Sequence, residues 1–198
     1  MRSIALLAVM FLMGCGAPTP PPRNYVLSTP VEPVAGVVKE DGRPVVELRT
    51  LSVPDYLDTT DILQRDGRNE LKASTTGRWG ERLSVGMAHA LVVSLSRRMP
   101  SLLITRSAIS GQPARELRVD VEAFDVWPDG RCGLTARWTI LRDDRTVETA
   151  ERGTFVAQAR ADASGISDAA TVSAMTDAVE QLAARIAADL GRPADRRK

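Results

Sequence analysis

The sequence predicts an α/β fold, a layered sandwich in which a central mixed, largely antiparallel sheet is flanked by two main amphipathic helices. Residues 81–99 and 172–190 repeat apolar side chains every three or four positions, which is the spacing of one helix face. Residues 117–160 instead alternate apolar and polar side chains between turn signals, as the strands of an antiparallel meander do. Because strands precede each helix along the chain, the order favours a sheet covered by helices.

The N-terminal residues carry the features of a secretory signal that ends at a lipidation site. Met1 and Arg2 give a positive start, and residues 4–13 form an unbroken apolar run. That run is too short to cross a bilayer as a helix, which takes about 20 apolar residues. The ending Leu-Met-Gly-Cys at 12–15 resembles the bacterial lipobox. We therefore expect lipidation of Cys15 and anchoring by its acyl chains; the alternative is an ordinary secretory signal with a chance cysteine.

A proline-rich stretch follows the cysteine. Residues 16–23 read GAPTPPPR, and the four prolines favour an extended spacer about 25 Å long. An aspartate directly after the cysteine tends to retain Gram-negative lipoproteins in the inner membrane, and this chain has Gly16 there. We therefore expect an outer-membrane anchor and a domain that faces the periplasm. The predicted organisation is a signal peptide (1–14), the lipidated cysteine with its tether (15–23), a single α/β domain (24–192) and a charged tail (193–198).

Turn and capping residues divide the domain into its elements. Asp66-Gly67 is a strong turn signal and predicts a small hairpin. Pro100 ends the first helix, and Ser167 or Asp168 caps the second. The predicted elements are a strand at 24–27, a strand at 44–54, a hairpin of 62–65 with 70–74, a helix at 81–99, a strand at 102–105, the meander at 117–160 and the final helix.

Charge and composition exclude several classes of function. Loss of Arg2 with the signal reduces the 26 basic residues to 25, equal to the 25 acidic ones, so the mature chain has no general affinity for nucleic acid. The only histidine, His89, points away from the apolar stripe of its helix. If Cys15 carries lipid, Cys132 has no disulfide partner. No catalytic residues, phosphate loop or zinc ligands can be singled out, so we predict a non-enzymatic protein without a cofactor.

Residues 53–83 are the candidate recognition segment, because aromatic and arginine side chains lie in a stretch of weak periodicity. Tryptophan, tyrosine and arginine make strong interface anchors. The alternative is that the aromatic residues cover the edge of the core and the arginines pair with carboxylates or carbonyls. The sequence leaves open whether Tyr56 and Trp79 belong to the core or to an interface. The candidate partner-binding residues are Tyr56, Leu57, Arg65, Arg78 and Trp79.

Four pieces of this segment resemble a known family. They are VPDYLD from Val53, ILQR at 62–65, NEL at 69–71 and GRWGERL at 77–83. In this order they resemble the ABC-type transport auxiliary lipoproteins, a PqiC-like family. The resemblance implies an α/β fold, a sheet flanked by helices, in a periplasm-facing lipoprotein. It also implies a system with an MCE-domain protein that moves lipids or other hydrophobic molecules between the two membranes.

The leading hypothesis is therefore a non-catalytic outer-membrane lipoprotein that docks the periplasmic MCE component at the outer membrane. Because MCE proteins form rings, this hypothesis leaves room for a homo-oligomer. One alternative is a periplasmic carrier of lipids or small hydrophobic molecules, which needs an apolar cavity. The other is a lipoprotein activator of a cell-wall enzyme, which also uses a tethered domain.

Overall fold

The structure is a computed structural model that describes residues 20–27, 42–107, 113–163 and 165–192. The signal at 1–14, the lipidation site Cys15 and the tail at 193–198 lie outside the described residues. The elements within them are β1 (Arg23–Tyr25), β2 (Val45–Ser52), β3 (Asp61–Arg65), β4 (Leu71–Trp79), α1 (Leu83–Arg98), β5 (Leu103–Thr105), β6 (Arg115–Val126), β7 (Arg131–Arg142), β8 (Val147–Gln158) and α2 (Asp168–Leu190).

The larger sheet has five strands in the order β5-β2-β6-β7-β8. β2 runs parallel to both β5 and β6, whereas β6, β7 and β8 form the predicted antiparallel meander. From Arg131 to Ile140 the even-numbered side chains of β7 are buried and the odd-numbered ones reach solvent. This period of two is typical of a sheet with one covered face. The predicted α/β fold is confirmed, although three of the six pairings among the described strands are parallel.

A second, three-stranded sheet has the order β1-β4-β3, so the strands do not share one central sheet. The predicted hairpin around Asp66-Gly67 is confirmed, because β3 and β4 pair antiparallel across this turn. β1 then adds to β4 in parallel. The separation has a local cause. Pro54 has no backbone N–H and begins a turn in which Leu57 N–H donates to its carbonyl at 2.9 Å, which takes the chain away from β2.

Both predicted helices are confirmed to within two residues at their ends. They pack against each other and against the larger sheet, and the core lies between them and its strands. The indole Nε1 of Trp138 on β7 donates to Asp189 on α2 at 2.9 Å, which shows that the buried face of β7 is the face under α2. Ser167 is the N-cap of α2, and its side chain accepts from the Ala170 N–H at 3.2 Å.

The two helices give the molecule a tether end and a far end. β1 pairs with the end of β4, and Ser74 on β4 contacts Asp168 at the start of α2; this is the tether end. At the far end, Arg115 at the start of β6 donates to the Leu190 carbonyl, the last of α2, at 2.8 Å. With 23 residues, α2 separates the two ends by about 35 Å. None of the described helices is both long and apolar enough to cross a membrane.

Candidate functional site

Part of the candidate recognition segment belongs to the core. Leu57 and Trp79 are each only 4% exposed and join the buried hydrophobic cluster. They lie where the turn after β2 and the end of β4 meet: the backbone N–H of Trp79 donates to the Thr60 carbonyl at 2.7 Å. A partner cannot reach either side chain in this structure. In this structure both side chains have a role in packing, and direct partner binding by Leu57 and Trp79 stays a prediction that their burial does not favour.

Asp58, the last residue of the VPDYLD piece, caps the first helix from a distance. Its carboxylate accepts from the backbone N–H of Ser84 at 3.1 Å and pairs with the guanidinium of Arg82. Arg82, the residue at the N-cap position of α1, makes no capping bond with its own side chain. Burial alone would raise the pKa of Asp58, but its hydrogen bonds to Ser84 and the nearby Arg82 lower it below its ordinary value. Asp58 thus supplies the acceptor that the helix start lacks.

Gly77, the first residue of the GRWGERL piece, allows the smaller sheet to approach α2. A Cβ built at this position would lie 2.6 Å from Oδ2 of Asp168 and 2.8 Å from Cε2 of Tyr25. The same Asp168 oxygen accepts from the hydroxyls of Ser74 at 2.8 Å and Thr76 at 2.6 Å, which holds it in place. The motif pieces that mark the family resemblance thus position β4, α1 and α2.

Arg65 and Tyr56 lie together where β3 ends, next to Asp125 of β6. Arg65 donates from Nε to Oδ1 of Asp125 on β6 at 2.8 Å, and its side chain is 21% exposed. Burial and the neighbouring Asp125 raise the pKa of Tyr56, and Arg65 offsets part of that rise. The Tyr56 side chain remains 44% exposed. Arg65 therefore satisfies a buried carboxylate, and Tyr56 adds an exposed ring beside that ion pair.

Arg78 is exposed but does not join this group. Its register partners are Asn24 on β1 and Asp61 at the start of β3. Asp61 and Arg65 are the first and last residues of β3. A rise of 3.3 Å per residue therefore puts the backbone of Arg65 about 13 Å from that of Asp61, which pairs with Arg78. The structure therefore brings Tyr56 and Arg65 together and leaves Arg78 separate. Partner binding by these three residues stays a prediction.

A set of side chains that the sequence reasoning did not single out lies next to Asp125. The face of the larger sheet away from the helices, called here the outer face, carries Gly133 between Asp125 and Val156 in the strand register. The ring of Trp127 lies on Gly133, since a Cβ there would be 3.1 Å from its Cζ3 atom. The guanidinium of Arg131 lies 4.6 Å from the Trp127 ring centre, within cation–π distance.

These residues form one surface, named here the aromatic–arginine patch. It combines two predicted residues with three new ones, and Val156 is 56% exposed in it. The sequence could have indicated that Asp125 and Trp127 share a face. They are two positions apart, just before the Pro128-Asp129-Gly130 turn, and strand alternation puts such residues on one side. The patch comprises Tyr56, Arg65, Trp127, Arg131 and Val156.

Charged side chains cover the middle of the outer face. Glu122 accepts from Arg137 at 3.0 Å and from Arg152 at 2.7 Å, so that three strands are cross-linked by one carboxylate. These contacts, led by the hydrogen bond from Arg152, lower the pKa of Glu122. Because all three side chains reach solvent, we expect these ion pairs to add little to the stability of the fold.

The remaining candidates for chemistry have structural explanations. Cys132 is fully buried, and burial together with Asp125 and Asp177 raises the pKa of its thiol to about 12. His89 is exposed, as its helix position predicts, with Nδ1 3.3 Å from Glu81. Within the described ranges, no three His, Cys, Asp or Glu side chains come together to hold a metal ion.

The comparison with known families covers most of the described domain. The sequence model of the family described as "ABC-type transport auxiliary lipoprotein component" matches residues 25–187. This chain belongs to that family. The match begins in β1 and ends in the last turns of α2, so it includes both sheets and the patch. The family consists of lipoproteins that are auxiliary components of ABC-type transport, which fits an envelope protein with a membrane anchor.

Solved structures share the fold of this family member. A crystal structure of an uncharacterized protein has a TM-score of 0.71 at 16% identity, and the match covers 86% of this chain and 99% of that chain. The crystal structure of protein XCC0632 from Xanthomonas campestris, described as DUF330, has a TM-score of 0.58 at 17% identity, with 78% and 90% covered. At these identities the likeness shows the fold alone. No curated protein matches the sequence.

Proposed function

We propose that this auxiliary lipoprotein is a non-catalytic docking component that holds the periplasmic MCE-domain protein of its transport system at the outer membrane. The main support for the proposal is the exposed surface on the outer face of the larger sheet. Both helices pack on the other face, and within the aromatic–arginine patch Tyr56 and Val156 stay 44% and 56% exposed. Tryptophan, tyrosine and arginine on a rigid sheet are the side chains that dominate binding energy at protein interfaces.

The position of the patch supports the same proposal. Gln64, the residue before Arg65, donates to the Thr171 hydroxyl in the first turn of α2, so the patch lies near the tether end. Lipidation of Cys15 would hold this end near the membrane with about 25 Å of reach. A partner bound at the patch would therefore be held close to the outer membrane, as docking requires.

A pull-down from detergent-solubilised envelope tests the proposal. The intact lipoprotein should recover an MCE-domain protein, and the Cys15→Ala form, expressed in the same cells, should recover less if anchoring positions the domain. Val156→Glu places a charge in the patch and should abolish recovery. Val26→Glu is the matched control, because Val26 is equally exposed at 58% but lies beside the smaller sheet. Recovery that survives Val156→Glu would move the docking surface away from the patch.

The alternatives predict other outcomes of the same experiment. A groove of about 580 Å³ at the tether end is lined by Pro21 and Tyr25 but also by Ser74, Thr76 and Asp168. Most of the lining is apolar, but the Asp168 carboxylate and the hydroxyls that it accepts from stand in the wall, so we rank a lipid carrier below docking. Co-purified lipid would favour the carrier, and recovery of a cell-wall synthase would favour the activator. Sedimentation of the intact protein with and without its partner would test a homo-oligomer.

A further inference from the structure

The far end of the outer face carries a second cavity, and arginine side chains dominate its walls. Its volume is about 310 Å³. Arg49 and Arg118 come from β2 and β6, while Arg142 ends β7 and Arg145 lies in the turn that follows it. The acidic residues on its walls are fewer: Glu47, Glu116 and Asp143. From Gly133 to Arg142 along β7, the cavity lies about 30 Å from the aromatic–arginine patch.

Two of the three acidic residues already have arginine partners. Glu47 pairs with Arg49 at 3.2 Å, and Glu116 pairs with Arg118 at 2.7 Å. The other two arginines on the wall are Arg142 and Arg145, and their surroundings differ.

The carboxylates of the turn are held by the turn itself. Asp143 accepts from the N–H of Asp144 at 2.9 Å, and Asp144 accepts from the N–H of Thr146 at 2.9 Å and from its hydroxyl at 2.6 Å. Among the described residues, Arg142 and Arg145 form no ion pair with a carboxylate. Hydrogen bonds from Thr146 and, to a smaller extent, the charge of Arg142 lower the pKa of Asp144. Two guanidinium groups on the cavity wall thus lack a carboxylate at ion-pair distance within the described residues, and Arg142 keeps only a longer-range interaction with Asp144.

The backbone of Arg145 adds a second observation. Its φ is +63°, the left-handed region that glycine and asparagine adopt easily and other residues rarely do. Its N–H donates to the Arg142 carbonyl at 2.9 Å, which closes the turn. Glycine would form this turn with less strain, so the arginine is present at a position where turn geometry does not favour it.

We propose that this cavity binds a carboxylate of a protein partner, with Arg142 and Arg145 as its main contacts and Arg118 at its wall. Guanidinium groups recognise carboxylates by paired hydrogen bonds, and these two have none of their own at ion-pair distance on a wall where arginines outnumber carboxylates. The proposal rests on the proposed docking function and adds an acidic anchor point to it. A partner engaged at both places would span the outer face, and the two contacts would reinforce each other.

The test measures binding of a fluorescent hexaglutamate peptide to the intact lipoprotein in detergent. Arg142→Gln with Arg145→Gln should weaken binding about tenfold, and Arg145→Gly alone should weaken it while keeping the turn. The matched control is Arg68→Gln with Arg160→Gln, which removes the same charge from exposed arginines elsewhere. The control should bind as the wild type does. An equal loss in both double variants would reduce the effect to net charge and overturn the proposal.

Competition separates the sources of the anion. N-acetylglutamate should displace the peptide at lower concentration than glycerol 3-phosphate, which represents a phospholipid headgroup. The reverse order, or no peptide binding by the wild type, would overturn the assignment to a protein carboxylate. Envelope pull-downs separate this proposal from the docking function: if the wild type and the double variant recover the MCE-domain protein equally, the anchor point is wrong and docking stands. If the wild type recovers none, docking itself fails.

Discussion

Removal of the Asp58 carboxylate should destabilise the protein by detaching the turn after β2 from the start of α1. Loss of an N-terminal capping acceptor costs about 0.5–2 kcal/mol. The Arg82 contact adds at most about 1 kcal/mol, because the Arg82 side chain is 64% exposed. We expect Asp58→Ala to lower the free energy of unfolding by about 1.5 kcal/mol. For a domain of this size that corresponds to a fall in Tm of about 5 °C.

The lowered pKa of Asp58 also predicts how its contribution to stability changes with pH. The pKa of Asp58 is lower in the folded protein than in the unfolded chain, where it is about 3.9. The ionised carboxylate therefore stabilises the fold above that pH, and the contribution is lost as the pH falls through the folded value. Urea unfolding followed by tryptophan fluorescence at pH 7 and at lower pH should show the gap between wild type and Asp58→Ala shrinking on acidification.

Asp58→Asn is the informative control. Its amide oxygen can still accept from the Ser84 N–H, but it carries no charge for Arg82, so we expect it to lose less stability than Asp58→Ala. A double-mutant cycle with Arg82→Ala isolates the ion pair. The reasoning is refuted if Asp58→Ala matches the wild type within about 0.3 kcal/mol at pH 7, since a cap should cost at least 0.5 kcal/mol. A gap that stays constant down to pH 3 would refute the role of the charge.

Three further predictions concern the contacts around this segment. Gly77→Ala should cost about 1–3 kcal/mol in urea unfolding, because its Cβ would meet the fixed Asp168 carboxylate; Asp168→Ala in the same chain should recover part of that loss. Arg65→Ala should cost about 2 kcal/mol by leaving Asp125 buried and unpaired, and Arg65→Ala with Asp125→Asn should be the more stable variant. Cys132 should resist alkylation at pH 8 in the folded protein and react in urea, as mass spectrometry would show; fast native labelling would contradict its burial.

The patterns with a strong period were the ones that sequence reasoning could use. Both helices and the meander follow from repeats of 3.6 and 2, since a continuous apolar face has to be buried along its whole length. The hairpin followed from Asp66-Gly67, whose glycine has a φ of +102° that other residues rarely adopt. In these elements the local chemistry and the tertiary packing require the same residues.

In the candidate recognition segment, periodicity did not identify the buried residues. The pairing of β3 with β4 shifts register between Asp61 and Leu63, and such an irregularity breaks the alternation that would have identified Trp79 as a buried strand residue. The periodicity looked weak because the strands are irregular. Of the predicted residues, Leu57 and Trp79 are core, Arg65 pairs with Asp125, and Tyr56 alone gives the patch an exposed ring from this segment.

By itself, the sequence determined the fold class, the order of the elements and the family, because these depend on local patterns and motifs, and it predicts lipidation at Cys15. Only the tertiary structure decided which residues share a surface. Trp127 lies 71 positions after Tyr56, and Arg142 lies 93 positions after Arg49. Strand pairing between distant segments brings such residues to one sheet face, and that pairing is set by the register of the whole sheet rather than by any single stretch of sequence.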